Sequence, residues 1–137
     1  MFHADVPEVD IRYPVKAGQT IYAGAVLELN GGYLENASAA GTFGGFALED
    51  SVAVLGESDG DRLVKVRVLG AVHLDITTET PAQSDVGLST SVVKATDNDT
   101  FRIERNGSPV TGVTIGKVVR IVEPGRVAVS FRAQMVA

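Results

Sequence analysis

The sequence predicts an all-β chain, a compact β-sandwich or barrel of short antiparallel strands with an extended N-terminal arm and at most one short helix. Three observations carry this. Short apolar runs with period-two alternation recur between clusters of Gly, Asn, Asp and Pro, the pattern of strands joined by tight turns. The chain has 137 residues, 15 of them Gly, and lacks the long 3.6-period runs that helices require. The stretch Thr111–Arg132 reads as a hairpin, with strands Val113–Val122 and Arg126–Arg132 joined at Glu123-Pro124-Gly125. Pro sets φ for the first turn position and Gly accepts φ > 0 at the next. In the second strand Val127, Val129 and Phe131 alternate with Ala128, Ser130 and Arg132, giving one apolar and one mixed face.

The remaining elements follow in chain order. Residues 1–13 form the arm, and 14–137 a single β-domain. In the arm Val6, Val9 and Ile11 alternate with acids, and Pro7 argues against a central strand. Such a segment is either a loose terminus or a strand that adds to a neighbouring subunit's sheet edge. Ile21 and Tyr22 with Val26, Leu27 and Leu29 give a strand interrupted at Ala23-Gly24-Ala25. Asn30-Gly31-Gly32 supplies the φ > 0 positions of a hairpin, and Tyr33–Ala37 returns. Ser38–Gly45 is either a surface loop or a place where backbones approach closely. Phe46–Leu55 reads as a strand broken by Glu49-Asp50-Ser51, and Gly56–Asp61 as a turn. Arg62–Ile76 has the clearest alternation, with Gly70 expected to break its phase as a bulge would. Ala82–Val86 is the candidate helical turn. Val92–Ala95 and Phe101–Glu104 read as strands about the polar turn Thr96–Thr100, and Asn106-Gly107 as a further turn.

Composition excludes several function classes. Lys+Arg 12 against Asp+Glu 17 gives a net charge of −5, a poor basis for nucleic-acid binding, which draws affinity from neutralising phosphates. With no cysteine there is no disulfide framework, thiolate zinc site or cysteine nucleophile. No apolar run reaches the length that spans a bilayer as a helix, and the first residues lack the pattern of a signal segment.

Candidate chemistry is sparse. His3 lies in the arm; His73 lies between Val72 and Leu74 and points away from them, towards solvent or a subunit contact. One strand histidine does not supply the convergent ligands of a metal site. The acidic stretches Glu57–Asp61 and Asp97–Asp99 have the residues of β-turns, and neither offers the six to eight oxygens of a calcium site. Gly112–Lys117 resembles a fragment of a phosphate loop but fails on spacing, and Val118 stands where the magnesium-binding hydroxyl belongs. Asn36-Ala37-Ser38, Asn98-Asp99-Thr100 and Asn106-Gly107-Ser108 match glycosylation sequons and also read as turns. The aromatic side chains are scattered, as core packing requires, so catalytic, cofactor and metal residues are all expected to be absent.

An ordered series of segments resembles the capsid decoration, or cement, proteins of tailed bacteriophages. The series comprises Val15–Ile21 with Gly24–Leu27, Gly45–Glu49, Val64–Val72, Asp85-Val86-Gly87, Ser91–Phe101, Ile115–Val122 and Gly125–Phe131, and it covers most of Val15–Ala133. Val93 stands where members of that family often carry tyrosine. The resemblance implies a non-enzymatic protein without cofactors, a homotrimer on the outside of the head shell that binds the major capsid protein, assembled in the host cytoplasm and carried on the virion. On that reading the arm attaches to the shell, with Val6, Val9 and Ile11 as apolar pegs. The alternatives are a phage tail or fibre-associated β-module, a small-ligand-binding β-barrel, which normally uses stacking aromatics and here has no tryptophan, and an enzyme.

Overall fold

A computed structural model describes residues 7–37, 42–77, 79–94, 97–105 and 113–136, with backbone alone at 93, 94 and 97–100. Nine strands form one curled antiparallel sheet, a half-barrel: β1 (Val9–Pro14), β2 (Val26–Asn30), β3 (Tyr33–Asn36), β4 (Thr42–Ala47), β5 (Leu63–Asp75), β6 (Ser89–Lys94), β7 (Asp97–Ile103), β8 (Val113–Glu123) and β9 (Arg126–Arg132). The order is β3-β2-β4-β5-β9-β8-β6-β7, with β1 also on β5. Gln83–Asp85 forms one 3₁₀ turn, at the place expected for a helical turn.

The long strand β5 organises the sheet. Its first half pairs with β1, from Leu63↔Pro14 to Leu69↔Val9, and its second half with β9, from Leu69↔Arg132 to Asp75↔Arg126. Val64, Val66, Val68, Val72 and Leu74 are all buried. Period-two geometry therefore keeps one set of side chains inward for the whole strand. Gly70 does not break the phase: it faces Phe131 in a ladder without a register shift. Even-numbered residues on both sides of it point inward.

The β8–β9 hairpin forms as the sequence dictates, with Glu123↔Arg126 closing around Pro124-Gly125 and Gly125 at φ +81°. Asn30-Gly31-Gly32-Tyr33 also turns as expected, with Gly31 at φ +60° and Gly32 at φ +90°, the two positive values of a type I′ turn. Val127, Val129 and Phe131 are buried. Phe131 meets Phe46 and Phe43 edge to face, with centroids 4.9 and 5.8 Å apart, and Phe43 and Phe46 are 5.5 Å apart. These geometries suit aromatic quadrupoles, and the three rings tie β4 to β9 across the core.

Several expectations change. The strand expected over 46–55 is instead β4, which begins at Thr42 and ends at Ala47. Gly44 and Gly45 lie inside β4, where backbones do come close: a Cβ on Gly45 would stand 2.5 Å from the Arg67 carbonyl oxygen. Beyond Leu48, whose N–H reaches Lys65 O, the chain leaves β5. From there it makes one isolated antiparallel bridge, Ile21↔Ser51, and local turn bonds, while the Glu57 and Asp61 carboxylates accept the Val54 and Ser58 N–H groups. Asp97–Thr100, expected as a turn, belongs to β7. The boundary placed between Tyr13 and Pro14 falls inside β1, so the last part of the arm is a strand of the domain's own sheet. Residues 38–41, the first six residues and the Asn106-Gly107 turn lie outside the described residues.

Candidate interaction surface

Loops at one end of β5 build an apolar tip at residues 52–56. Val52 and Val54 are 61 % and 60 % exposed, and Leu55 is fully exposed at 103 %. Single exposed apolar side chains are ordinary; three within four residues on an ordered loop are a surface feature.

The loop is held from beneath by an ion pair. Arg62 Nε donates to Glu57 Oε2 at 2.6 Å and Arg62 Nη2 to Glu57 Oε1 at 3.1 Å, a two-point contact with fixed geometry. The Glu57 side chain is only 6 % exposed. Arg62 also donates to Ser51 Oγ and to Gln19 O, both at 2.6 Å. Glu57 Oε1 accepts the Val54 N–H at 2.7 Å and the Gly18 N–H at 3.4 Å. The Arg62 guanidinium, then the Val54 amide, hold the Glu57 carboxyl below its ordinary pKa against the opposing effect of burial. Ala53 N–H reaches Thr20 Oγ1, Ala17 N–H reaches Asp59 Oδ1, and Ser58 N–H reaches Asp61 Oδ2. The acidic turn 57–61 therefore engages its carboxylates with backbone amides, Arg62 and Lys16, whose Nζ lies 3.8 Å from Asp59 Oδ2, the ordinary chemistry of a turn. Among the described residues no three His, Cys, Asp or Glu side chains gather as a metal site. The acids nearest the tip in the chain, Asp50, Asp59 and Asp61, are exposed; Asp50 accepts the Ala23 N–H at 2.8 Å and Asp59 pairs with Lys16 at 3.8 Å.

The arm residues have separate fates. Val6 and His3 lie outside the described residues. Val9 is 40 % exposed on β1, where it can reach a partner. Ile11 packs against the chain's own core and is not a free peg. Arg67 fastens this strand: its Nη1 lies 2.6 Å from Glu8 Oε2, and its Nε and Nη2 donate to the two Asp10 oxygens at 2.8 and 3.1 Å. Hydrogen bonding to Arg67 lowers the Asp10 pKa.

Further round, Asp85 is buried. Arg105 donates to its two oxygens at 2.8 and 2.7 Å, and the Ala82 N–H donates to Oδ2 at 2.8 Å. The Arg105 hydrogen bonds, followed by the Ala82 amide, outweigh burial and hold the Asp85 carboxyl down at about 2. This clamp fixes the 3₁₀ turn to the end of β7. Sequence reasoning misses both clamps, because neither Arg62 nor Arg105 stands out in alternation; only Glu57 and Asp61, as turn residues, are visible.

A cleft of about 570 Å³ lies between residues 22–25, Phe46, the end of β5 and Phe101. His73, half-buried, lies in its wall beside Leu74 and Asp75. Two polar groups there are already engaged: Asp75 with Arg126 at 2.7 Å, and the Asn36 amide with Gln19 Oε1 and Thr20 O at 3.1 and 2.9 Å. The tip is the better-built feature, with its apolar side chains outward and its polar groups satisfied inward.

Comparison with family models, with curated proteins and with solved structures finds no match.

Proposed function

We propose that the chain is a non-enzymatic decoration protein of a tailed-phage capsid, which binds the major capsid protein on the outside of the head shell as a homotrimer and stiffens it. The observation that carries this reading is the tip: apolar side chains held outward on a loop anchored by a half-buried ion pair, at the end of an all-β domain. A staple needs a contact surface that does not rearrange under load, and pre-organisation of that kind lowers the entropic cost of binding. The ordered resemblance over Val15–Ala133 supports the same reading. Three copies acting together turn modest contacts into strong attachment. Attachment by the arm now narrows to the segment before β1 and to Val9, since Ile11 serves the domain's own core.

The test is co-sedimentation of the purified chain with empty expanded heads of the phage that encodes it. Saturable pelleting at a fixed copy number per shell is expected. A chain that stays in the supernatant at every concentration overturns the reading.

A further inference from the structure

The cleft beside the end of β5 gathers aromatic side chains that are scattered in the sequence. Tyr22, Phe46 and Phe101 all line it, although they come from the 22–25 loop, β4 and β7. Its volume of about 570 Å³ falls in the range of small-molecule sites. Phe46 and Leu74 are buried and form its floor. Tyr22 stands at the mouth, 62 % exposed, and Asp75 and Thr77 are exposed at the rim.

The walls are formed in advance. The loop that carries Tyr22 is tied down by Gly24 N–H to Ala47 O at 2.8 Å and Ala25 N–H to Tyr22 O at 3.0 Å, and by Ala23 N–H to Asp50 Oδ1 at 2.8 Å. Ala23, Gly24 and Ala25 carry almost no side chain, which keeps that wall open. At the rim, Arg126 Nε donates to Asp75 Oδ1 at 2.7 Å, which sets the direction of a carboxylate that is still exposed. A site shaped before binding loses little freedom when a ligand enters.

This mixture of walls selects a ligand class. A purely apolar guest would strip water from Asp75 and Thr77 without replacing it, which costs free energy. An anion would meet the Asp75 carboxylate, and a cation would compete with Arg126 for it. A neutral sugar ring suits every wall. Its C–H face lies on an aromatic ring, and its hydroxyls donate to a carboxylate and exchange hydrogen bonds with a threonine hydroxyl.

We propose that this cleft binds a neutral sugar residue, with Tyr22 as the stacking platform and Asp75 and Thr77 as the hydroxyl partners. The site is separate from attachment to a shell, since it uses neither the tip nor the segment before β1.

Amide NMR of the full chain tests it, with glucose, galactose, mannose and N-acetylglucosamine as separate probes at up to about 50 mM. At least one is expected to give saturable shifts at the Tyr22–Ala25 and Leu74–Thr77 amides, with a Kd on the order of 1–10 mM. Tyr22→Ala and Asp75→Asn should each weaken that binding at least roughly tenfold, whereas Tyr22→Phe keeps the platform and should retain it. Both side chains are exposed, so circular dichroism and melting should match wild type. Four sugars that leave those amides unmoved overturn the proposal. So does binding that survives both Tyr22→Ala and Asp75→Asn, or phenol shifting the same amides where no sugar does. Tyr22→Ala should pellet with empty heads as the wild type does. Failure of the cleft therefore leaves the decoration reading standing, and failure to pellet leaves the cleft.

Discussion

The loop that carries the tip, residues 52–62, and the β8–β9 hairpin reach order by different means. The hairpin is held by a backbone ladder and by Val127, Val129 and Phe131 pointing inward. The tip sends its valines and Leu55 outward and is held by Arg62, Glu57 and carboxylate contacts to backbone amides. Apolar alternation orders a segment only where there is a sheet edge to pair with and a core to face. Where the chain leaves the sheet after Ala47, an isolated bridge at Ile21↔Ser51, local turn bonds and charge-assisted hydrogen bonds hold it together. A half-buried, two-point ion pair adds little net stability but fixes geometry, which suits a loop whose apolar side chains remain available.

That contrast can be broken most forcefully from the hairpin side. Phe131→Ala removes a ring that touches both Phe43 and Phe46, and should lower global stability by about 3–5 kcal/mol in urea unfolding. If the loss is under about 1 kcal/mol, the core is not centred on these rings.

Arg62→Met sharpens the difference from the tip side. It removes both Glu57 contacts and the bonds to Ser51 and Gln19. The expected effect is local: hydrogen exchange at the Val54 and Gly18 amides should quicken by at least roughly tenfold while the β8–β9 amides keep their protection. Uniform loss of protection in both regions would show that tip and hairpin unfold as one unit.

The smallest effect is pH-dependent. Asp85 has a folded-state pKa of about 2, below its ordinary value of 3.8; Glu57 and Asp10 are also lowered. A depressed carboxylate binds fewer protons folded than unfolded, so its stabilisation is complete above the unfolded pKa and fades as pH falls through the folded one. Melting temperature should hold steady down to about pH 5 and decline progressively towards pH 2. Asp85→Asn should flatten part of that decline; an unchanged acid profile would remove the Arg105 clamp from the account.

Much of the fold can be read directly from residues 62–76 and 111–132. Val64, Val66, Val68, Val72 and Leu74 announce an inward face, and Pro124-Gly125 and Asn30-Gly31-Gly32 announce turns, because side-chain period and permitted φ are local properties. Gly116 shows the limit. In sequence it sits in a fragment resembling a phosphate loop; in the fold a Cβ there would lie 1.9 Å from the Ser130 carbonyl oxygen, so it is glycine to let β9 approach. Val52, Val54 and Leu55 show the same limit at the candidate site, since their alternation is that of a strand and nothing local says that β5 has ended its pairing with this segment.

The sequence by itself therefore determined the all-β class, the hairpin turns and the inward face of β5. Each depends on residues two to four apart, and local geometry needs no distant partner. Only the tertiary structure decided that β1 belongs to the chain's own sheet, that Arg62 and Arg105 meet Glu57 and Asp85, and that residues 52–56 stand outward. Those outcomes depend on which edges and charges fold into contact, and contact between groups remote in sequence is set by the packing of the whole sheet.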